Sequence, residues 1–83
     1  MTQRQSTLTA SEKIATVTDL GQIVQLTRKQ QALTQADLAG LAQTGNRFIV
    51  DLEKGKPTIQ LQKALDILEL LGLELRISRK GMP

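Results

Sequence analysis

Residues Leu33 to Lys56, LTQADLAGLAQTGNRFIVDLEKGK, leave the chain little freedom, because their helix starts, breaks and stops are spaced for two short helices joined by a tight turn. Thr34 is a good N-cap, and Asp37 three residues on is a shorter stand-in for the Glu or Gln of a capping box, so a helix is expected to open at Gln35. Leu38, Leu41 and Ala42 then fall on one face. The run Gln43-Thr44-Gly45 breaks the pattern, with Gly45 free to take a backbone conformation that other residues resist. A second helix is expected from Asn46, with Ile49 and Leu52 as inward contacts and Arg47, Val50, Asp51 and Lys54 on the opposite side at about 100 degrees per residue. Gly55 ends it and Pro57 blocks continuation.

This segment resembles the helix-turn-helix of the phage-repressor and xenobiotic-response-element (XRE) family of bacterial regulators. Gln35 opens the first helix, Ala39 holds the small-residue position where the helices cross, Ile49 is the core residue of the second helix, and Leu52-Glu53-x-Gly55 closes the unit. Two departures stand out. The family usually has Gly where this chain has Gln43 and an apolar residue at Thr44, and it often caps the second helix with Ser or Thr where this chain has Gly45. The combination Thr44-Gly45-x-Arg47-Phe48-Ile49 with Asp51-Leu52-Glu53-x-Gly55-Lys56 is similar to the branch containing HipB-type antitoxins. The resemblance implies a mainly α, lambda-repressor-like bundle of four to five helices. It also implies an ion pair between Arg28 and Glu53, joining an early helix to the end of the reading helix.

Eighty-three residues make one small domain, near the size at which a single core is only marginally stable, so a partner subunit is plausible. The chain has neither cysteine nor histidine, which removes disulfides, thiolate ligands and the commonest metal ligand and proton shuttle. No metal site, cofactor or catalytic residue is expected. No apolar run reaches the ~20 residues that span a bilayer, and the N-terminus lacks a signal peptide's hydrophobic region, so the expected place is the cytoplasm, associated with the nucleoid, and not a membrane. The net charge is +3. Within residues 34 to 56, Arg47, Lys54 and Lys56 balance Asp37, Asp51 and Glu53, while the surplus lies at Arg28, Lys29, Arg76, Arg79 and Lys80. A locally neutral unit gains little from bulk attraction to phosphate, so two copies are expected to act together.

Along the chain, residues 1 to 17 read as a flexible arm, its first eight residues disordered, with a possible short helical turn where Thr9 and Glu12 match a capping box and Ile14 and Val17 are spaced by three. Residues 18 to 72 read as the helix-turn-helix domain. Thr18 and Asp19 mark its first helix, with Leu20, Ile23, Val24 and Thr27 on one stripe to about Gln31. Downstream, Thr58 can cap a helix carrying Leu61, Ala64, Leu65, Leu68 and Leu71, which Gly72 ends. In residues 73 to 78 the period changes, since Leu73, Leu75 and Ile77 alternate with Glu74, Arg76 and Ser78 as in a half-buried strand. With no second strand in the chain, its simplest ladder partner is the same segment of a second copy, and members of the resembled branch commonly dimerise this way. The alternative is a tail that covers only its own core. Residues 79 to 83 form a basic tail.

Thr34, Gln35, Thr44, Asn46 and Arg47 are candidates to meet phosphates and base edges of double-stranded DNA, since Arg can pair with guanine and Asn with adenine in bidentate fashion. The competing reading is a plain solvated polar face. Asp51, one turn after Arg47, either holds it by an i, i+4 pair or accepts from a cytosine amino group. Val50 meets a thymine methyl group or is merely a small exposed apolar residue. Lys54 and Lys56 suit phosphate contacts, and Phe48, the only aromatic residue, suits core packing. The expected function is a homodimeric repressor on an inverted repeat, with its reading helices about 34 to 36 Å apart. The HipB resemblance adds binding to a HipA-like serine/threonine kinase toxin. The alternative is a protein-interaction module that uses the fold only as a scaffold. An enzyme ranks third, because the Ser, Thr, Lys and carboxylate residues show no nucleophile and base arrangement.

Overall fold

The computed structural model describes residues 12–81. They form four helices, α1 Val17–Gln30, α2 Gln35–Ala42, α3 Asn46–Lys54 and α4 Leu61–Leu70. The arm's Thr9 and its first eight residues lie outside the described residues, and residues 12–15 carry no helix. α3 packs against both α1 and α2, and α4 packs against α2. Val24, Leu38, Ile49, Leu52 and Ile67 are fully buried where the four helices meet. No helix among the described residues is long and apolar enough to cross a membrane.

Two helix starts carry reciprocal capping boxes. Thr34 accepts from the backbone N–H of Asp37 while the Asp37 carboxylate accepts from the N–H of Thr34, so α2 opens at Gln35 as its sequence predicts. The same device opens α1, but on Thr16 and Asp19, two residues before the expected start. The reason is spacing, since an acidic residue stands three positions after Thr16, whereas Gly21 stands three after Thr18. Thr58 does not cap α4. The chain turns after Gly55, with Ile59 N–H donating to the Lys56 carbonyl, and Gln60 becomes the N-cap without a side-chain bond.

All four helices stop in the same way. The residue after the last turn is left-handed, its N–H bonds back into that turn, and the next N–H bonds across to a carbonyl five residues earlier. The crossing bonds run from Leu33 to Arg28, Thr44 to Ala39, Lys56 to Asp51 and Leu73 to Leu68. Gly55 and Gly72 fill the left-handed position after α3 and α4, as expected, with φ of 79° and 80°. After α1 and α2 the position is taken by Ala32 and Gln43, at φ 58° and 56°. Gly45 was the residue expected to use glycine's freedom, but it sits at φ −75° as the N-cap of α3. The strain therefore falls on Gln43, where the resembled family usually carries Gly.

A Cβ in the left-handed region costs roughly 1–2 kcal/mol, part of which glycine returns as unfolded-state entropy. Ala32→Gly and Gln43→Gly are therefore each expected to stabilise the fold by about 0.5–1 kcal/mol. Urea unfolding followed by circular dichroism checks this, and an unchanged or lower midpoint in both variants would show that these turns carry no strain.

Three inward faces differ from the expected stripes. Leu41 is 60% exposed, because Leu38, Ala39 and Ala42 define the packed side of α2 and Leu41 lies about 100 degrees from its centre. On α1 the buried line is Leu20, Gly21, Val24 and Arg28, leaving Ile23 and Thr27 half-buried. On α4, Ala64, Ile67 and Leu68 are buried and Leu61 is exposed.

Residues 73–79 form neither helix nor strand, and no strand occurs among the described residues. Leu73 packs against the core, whereas Leu75 is 43% and Ile77 97% exposed. The alternation seen in the sequence does not become alternate burial within one chain, because a strand needs a neighbour to pair its backbone groups.

Candidate nucleic-acid interface

Everything that positions the outer face of α3 begins with its buried side. Ile49 and Leu52 are wholly enclosed, and each is worth about 1.5–3 kcal/mol of apolar burial. Behind them, α1 comes unusually close. A Cβ on Gly21 would stand 2.7 Å from the Glu53 carbonyl oxygen and closer still to that of Leu52. At the other end of the contact, a Cβ on Gly55 would stand 2.6 Å from Thr18 Cα. Ala39, the small residue expected at the helix crossing, is buried on α2, whereas Gly21 was not expected at a close approach. The available signal was a glycine inside an otherwise regular helical stripe.

A buried polar cluster fixes the same crossing. Arg28 Nε donates to Glu53 Oε2 at 2.6 Å and Nη2 to Oε1 at 3.1 Å, while Nη1 donates to the Leu33 carbonyl at 2.7 Å. Glu53 Oε1 also accepts from Gln35 Nε2 at 3.0 Å and Gln25 Nε2 at 3.3 Å. The expected Arg28–Glu53 pair is therefore present, with both side chains buried. It ties α1, the start of α2 and the end of α3 into one network. Gln35, proposed from sequence as a DNA contact, is half-buried and has its amide nitrogen committed to Glu53.

Burial opposes ionisation of Glu53, but hydrogen bonds from Arg28 and Gln35 and the Arg28 charge outweigh it and hold the carboxyl below its ordinary value of 4.5. The hydrogen bonds that Arg28 donates to Glu53 raise the Arg28 pKa in turn. Asp19, bonded to the backbone N–H of Ala15, and Asp37, bonded to that of Thr34, are held below their ordinary 3.8. A carboxyl with a lowered folded-state pKa adds stability that is complete above its ordinary value and is lost as pH falls through the folded value. Thermal unfolding is therefore expected to keep a steady midpoint near neutrality, where no histidine or cysteine titrates, and to lose stability progressively below about pH 4.5. A midpoint that rises on acidification would contradict these assignments.

The outer face of α3 is polar and open. Asn46, Arg47 and Lys54 are exposed and Val50 and Asp51 half-buried. Gly45 offers no side-chain cap, so the first N–H groups of α3 project into solvent and favour anions there. Arg47 Nε donates to Asp51 Oδ1 at 3.2 Å, the expected i, i+4 pair, with the Arg47 side chain 85% exposed. Lys56 Nζ also lies 3.5 Å from Asp51 Oδ2, an approach that residue spacing does not reveal. Thr34, exposed, caps α2, and half-buried Thr44 supplies the crossing bond after it. Phe48 packs against the core edge as expected, under the ammonium of Lys63 at 5.5 Å from its ring centroid.

Comparison with known proteins agrees with this geometry. Residues 24–77 match the helix-turn-helix family. The chain is 48% identical over 71 residues to the uncharacterized HTH-type transcriptional regulator y4mF of Sinorhizobium fredii (strain NBRC 101917 / NGR234), covering 86% of this chain and 93% of that one. Among solved structures it is similar to the HipB–O4 20mer complex, with a TM-score of 0.77 and 25% identity over 86% of this chain and 100% of the other. It is also similar to the HipA–HipB–O2–O3 complex, with a TM-score of 0.78, 25% identity and the same coverage.

Proposed function

The chain belongs to the XRE-type helix-turn-helix family of transcriptional regulators, and from that premise we propose that it is a homodimeric repressor that reads an inverted-repeat operator with α3. The observation that carries this reading is the polar outer face of α3, with an uncapped N-terminus beside exposed Asn46 and Arg47 and with Lys54 and Lys56 at its far end. In the proposed complex Arg47 meets guanine, Asn46, Val50, Thr44 and Gln35 meet base edges or phosphates nearby, Thr34 lies over the backbone, and the two lysines bind phosphate. Residues 18–72 serve as the reading domain, residues 73–78 as the pairing segment and residues 79–83 as a basic tail, and the protein works in the cytoplasm at the nucleoid.

The second copy is proposed to join through Leu73, Leu75 and Ile77. Two of these side chains are substantially exposed beside an open groove floored by Leu20, Ile23 and Leu68, which a paired strand from a partner would cover. The antitoxin role, with a HipA-like serine/threonine kinase toxin as partner, is proposed from the likeness to HipB and in particular to the HipA–HipB–O2–O3 complex. Co-purification with the kinase encoded beside it tests that role.

The direct test is enrichment from a randomised duplex library, followed by gel shift of the enriched and a scrambled duplex at two salt concentrations. Arg47→Ala is expected to relax preference at one base position and cost about 1–3 kcal/mol, whereas Lys56→Ala weakens binding to every sequence. Equal losses for enriched and scrambled DNA in both variants reject that division. Absence of any shift at low salt leaves the fold as a scaffold for protein contacts. Leu75→Pro is expected to yield a monomer in sedimentation, and an unchanged dimer rejects pairing through this segment.

A further inference from the structure

Asp51 is an odd residue to find on a surface meant for a polyanion. Its carboxylate lies among the groups assigned to phosphate and base contact, where it would repel DNA unless it has another task. The structure shows how it is occupied. One oxygen accepts from Arg47 Nε at 3.2 Å and the other lies 3.5 Å from Lys56 Nζ. The Asp51 side chain is only 19% exposed, whereas those of Arg47 and Lys56 are 85% and 53% exposed, so one largely enclosed acceptor holds two exposed cations. Lys56 is tied to Asp51 a second time, since its backbone N–H donates to the Asp51 carbonyl at 3.0 Å in the turn that ends α3. That turn depends on the left-handed Gly55 and brings the lysine back alongside the helix it has just left.

From this geometry we infer that Asp51 is a specificity-determining positioning residue: its shared carboxylate holds Arg47 and Lys56 in place and weakens binding to non-cognate DNA. The inference rests on the proposal that α3 reads DNA. Sequence-independent binding depends on cations meeting phosphates. With Asp51 in place, a non-cognate duplex meets Lys54 uncompensated, while Lys56 reaches its phosphates only against the pull of a carboxylate that also repels the backbone. To recruit the other two cations it must draw them from an acceptor that already holds them. A cognate duplex offers Arg47 two guanine acceptors through the guanidinium nitrogens that Asp51 leaves free, so the arginine reads its base while its Nε stays anchored. The residue thus acts through what it withholds from wrong sequences, which is how discrimination arises without added affinity.

The test compares wild type, Asp51→Asn and Asp51→Ala on two probes, the duplex that wild type enriches from a randomised library and a scrambled duplex of the same composition, across a salt series. Both variants are expected to bind the scrambled duplex about tenfold more tightly and with a steeper salt dependence, by about one phosphate contact, while enriched-duplex affinity stays within about threefold. Asp51→Glu, which keeps the charge, is expected to retain the wild-type ratio between the probes. Circular dichroism confirms that each variant is folded, and alanine's high helix propensity makes Asp51→Ala the safer fold if asparagine disturbs the turn. Scrambled-duplex affinity that does not rise overturns the inference, as does a parallel fall on both probes. A fall confined to the enriched duplex also overturns it, by showing that Asp51 contacts a base directly. In these outcomes the DNA-reading proposal survives, whereas a library from which wild type enriches nothing defeats both.

Discussion

Gly21→Ala is expected to lower the unfolding free energy by about 3 kcal/mol, and Gly21→Val to abolish the folded state. Elsewhere in a helix the alanine exchange is a gain of up to about 1 kcal/mol, because glycine wastes backbone entropy there. Here the added methyl group meets the carbonyl oxygens of Leu52 and Glu53, which belong to the backbone of α3 and cannot rotate away. α1 must lift off, and the movement opens the contact that encloses Leu52 and carries the Arg28–Glu53 pair. Urea titration measures the loss. A Gly21→Ala variant as stable as wild type would show that the two helices can separate without penalty and that their close approach is incidental.

Arg28→Ala is expected to cost about 3–5 kcal/mol, because it leaves a buried carboxylate without its opposing charge. Gln25 and Gln35 still donate to Glu53, but neutral amides do not offset the desolvation of an anion. The Leu33 carbonyl loses its donor in the same step. The pair itself has a different net value. Replacing both ends with apolar side chains of similar size, Arg28→Met with Glu53→Leu, is expected to recover most of the stability, since neither charge then needs burial. A double-mutant cycle separates the cases, and near-additive losses would mean that the two residues act independently. The double variant is still expected to bind DNA less well, because Gln35 is no longer held and the start of α2 loses its tie to α3.

The readily legible parts of the fold were those encoded within four residues. Thr34 with Asp37, and Gly55 and Gly72 at their helix ends, declare themselves locally, and the structure places them as read. The Arg28–Glu53 pair was legible only through family resemblance, since twenty-five residues separate its members and nothing in either neighbourhood announces the other. Gly21 was missed for the same reason, because its constraint comes from the carbonyls of another helix. Ala32 and Gln43 were missed because their residue types do not advertise a left-handed backbone. There the hydrogen bonds of the helix stop outweigh the local preference. Leu41 shows the limit of periodicity in a helix of eight residues, where one turn decides which side faces inward. The pairing of Arg47 with Asp51 followed from spacing alone, whereas the approach of Lys56 to the same carboxylate required the path of the turn after Gly55.

The turn at Gly55 has one more consequence, which is informational. It stops α3 at nine residues. A rod of that length measures about 13 Å at 1.5 Å per residue and lies alongside about four base pairs. A given run of four base pairs recurs by chance about once in every 256, so a genome with 10⁶ or more competing positions would present one such rod with thousands of equal addresses. Two rods reading together square that rarity. On this count the second copy proposed above is called for by arithmetic as well as energetics: if α3 is the reader, one chain is too short a word to name a place.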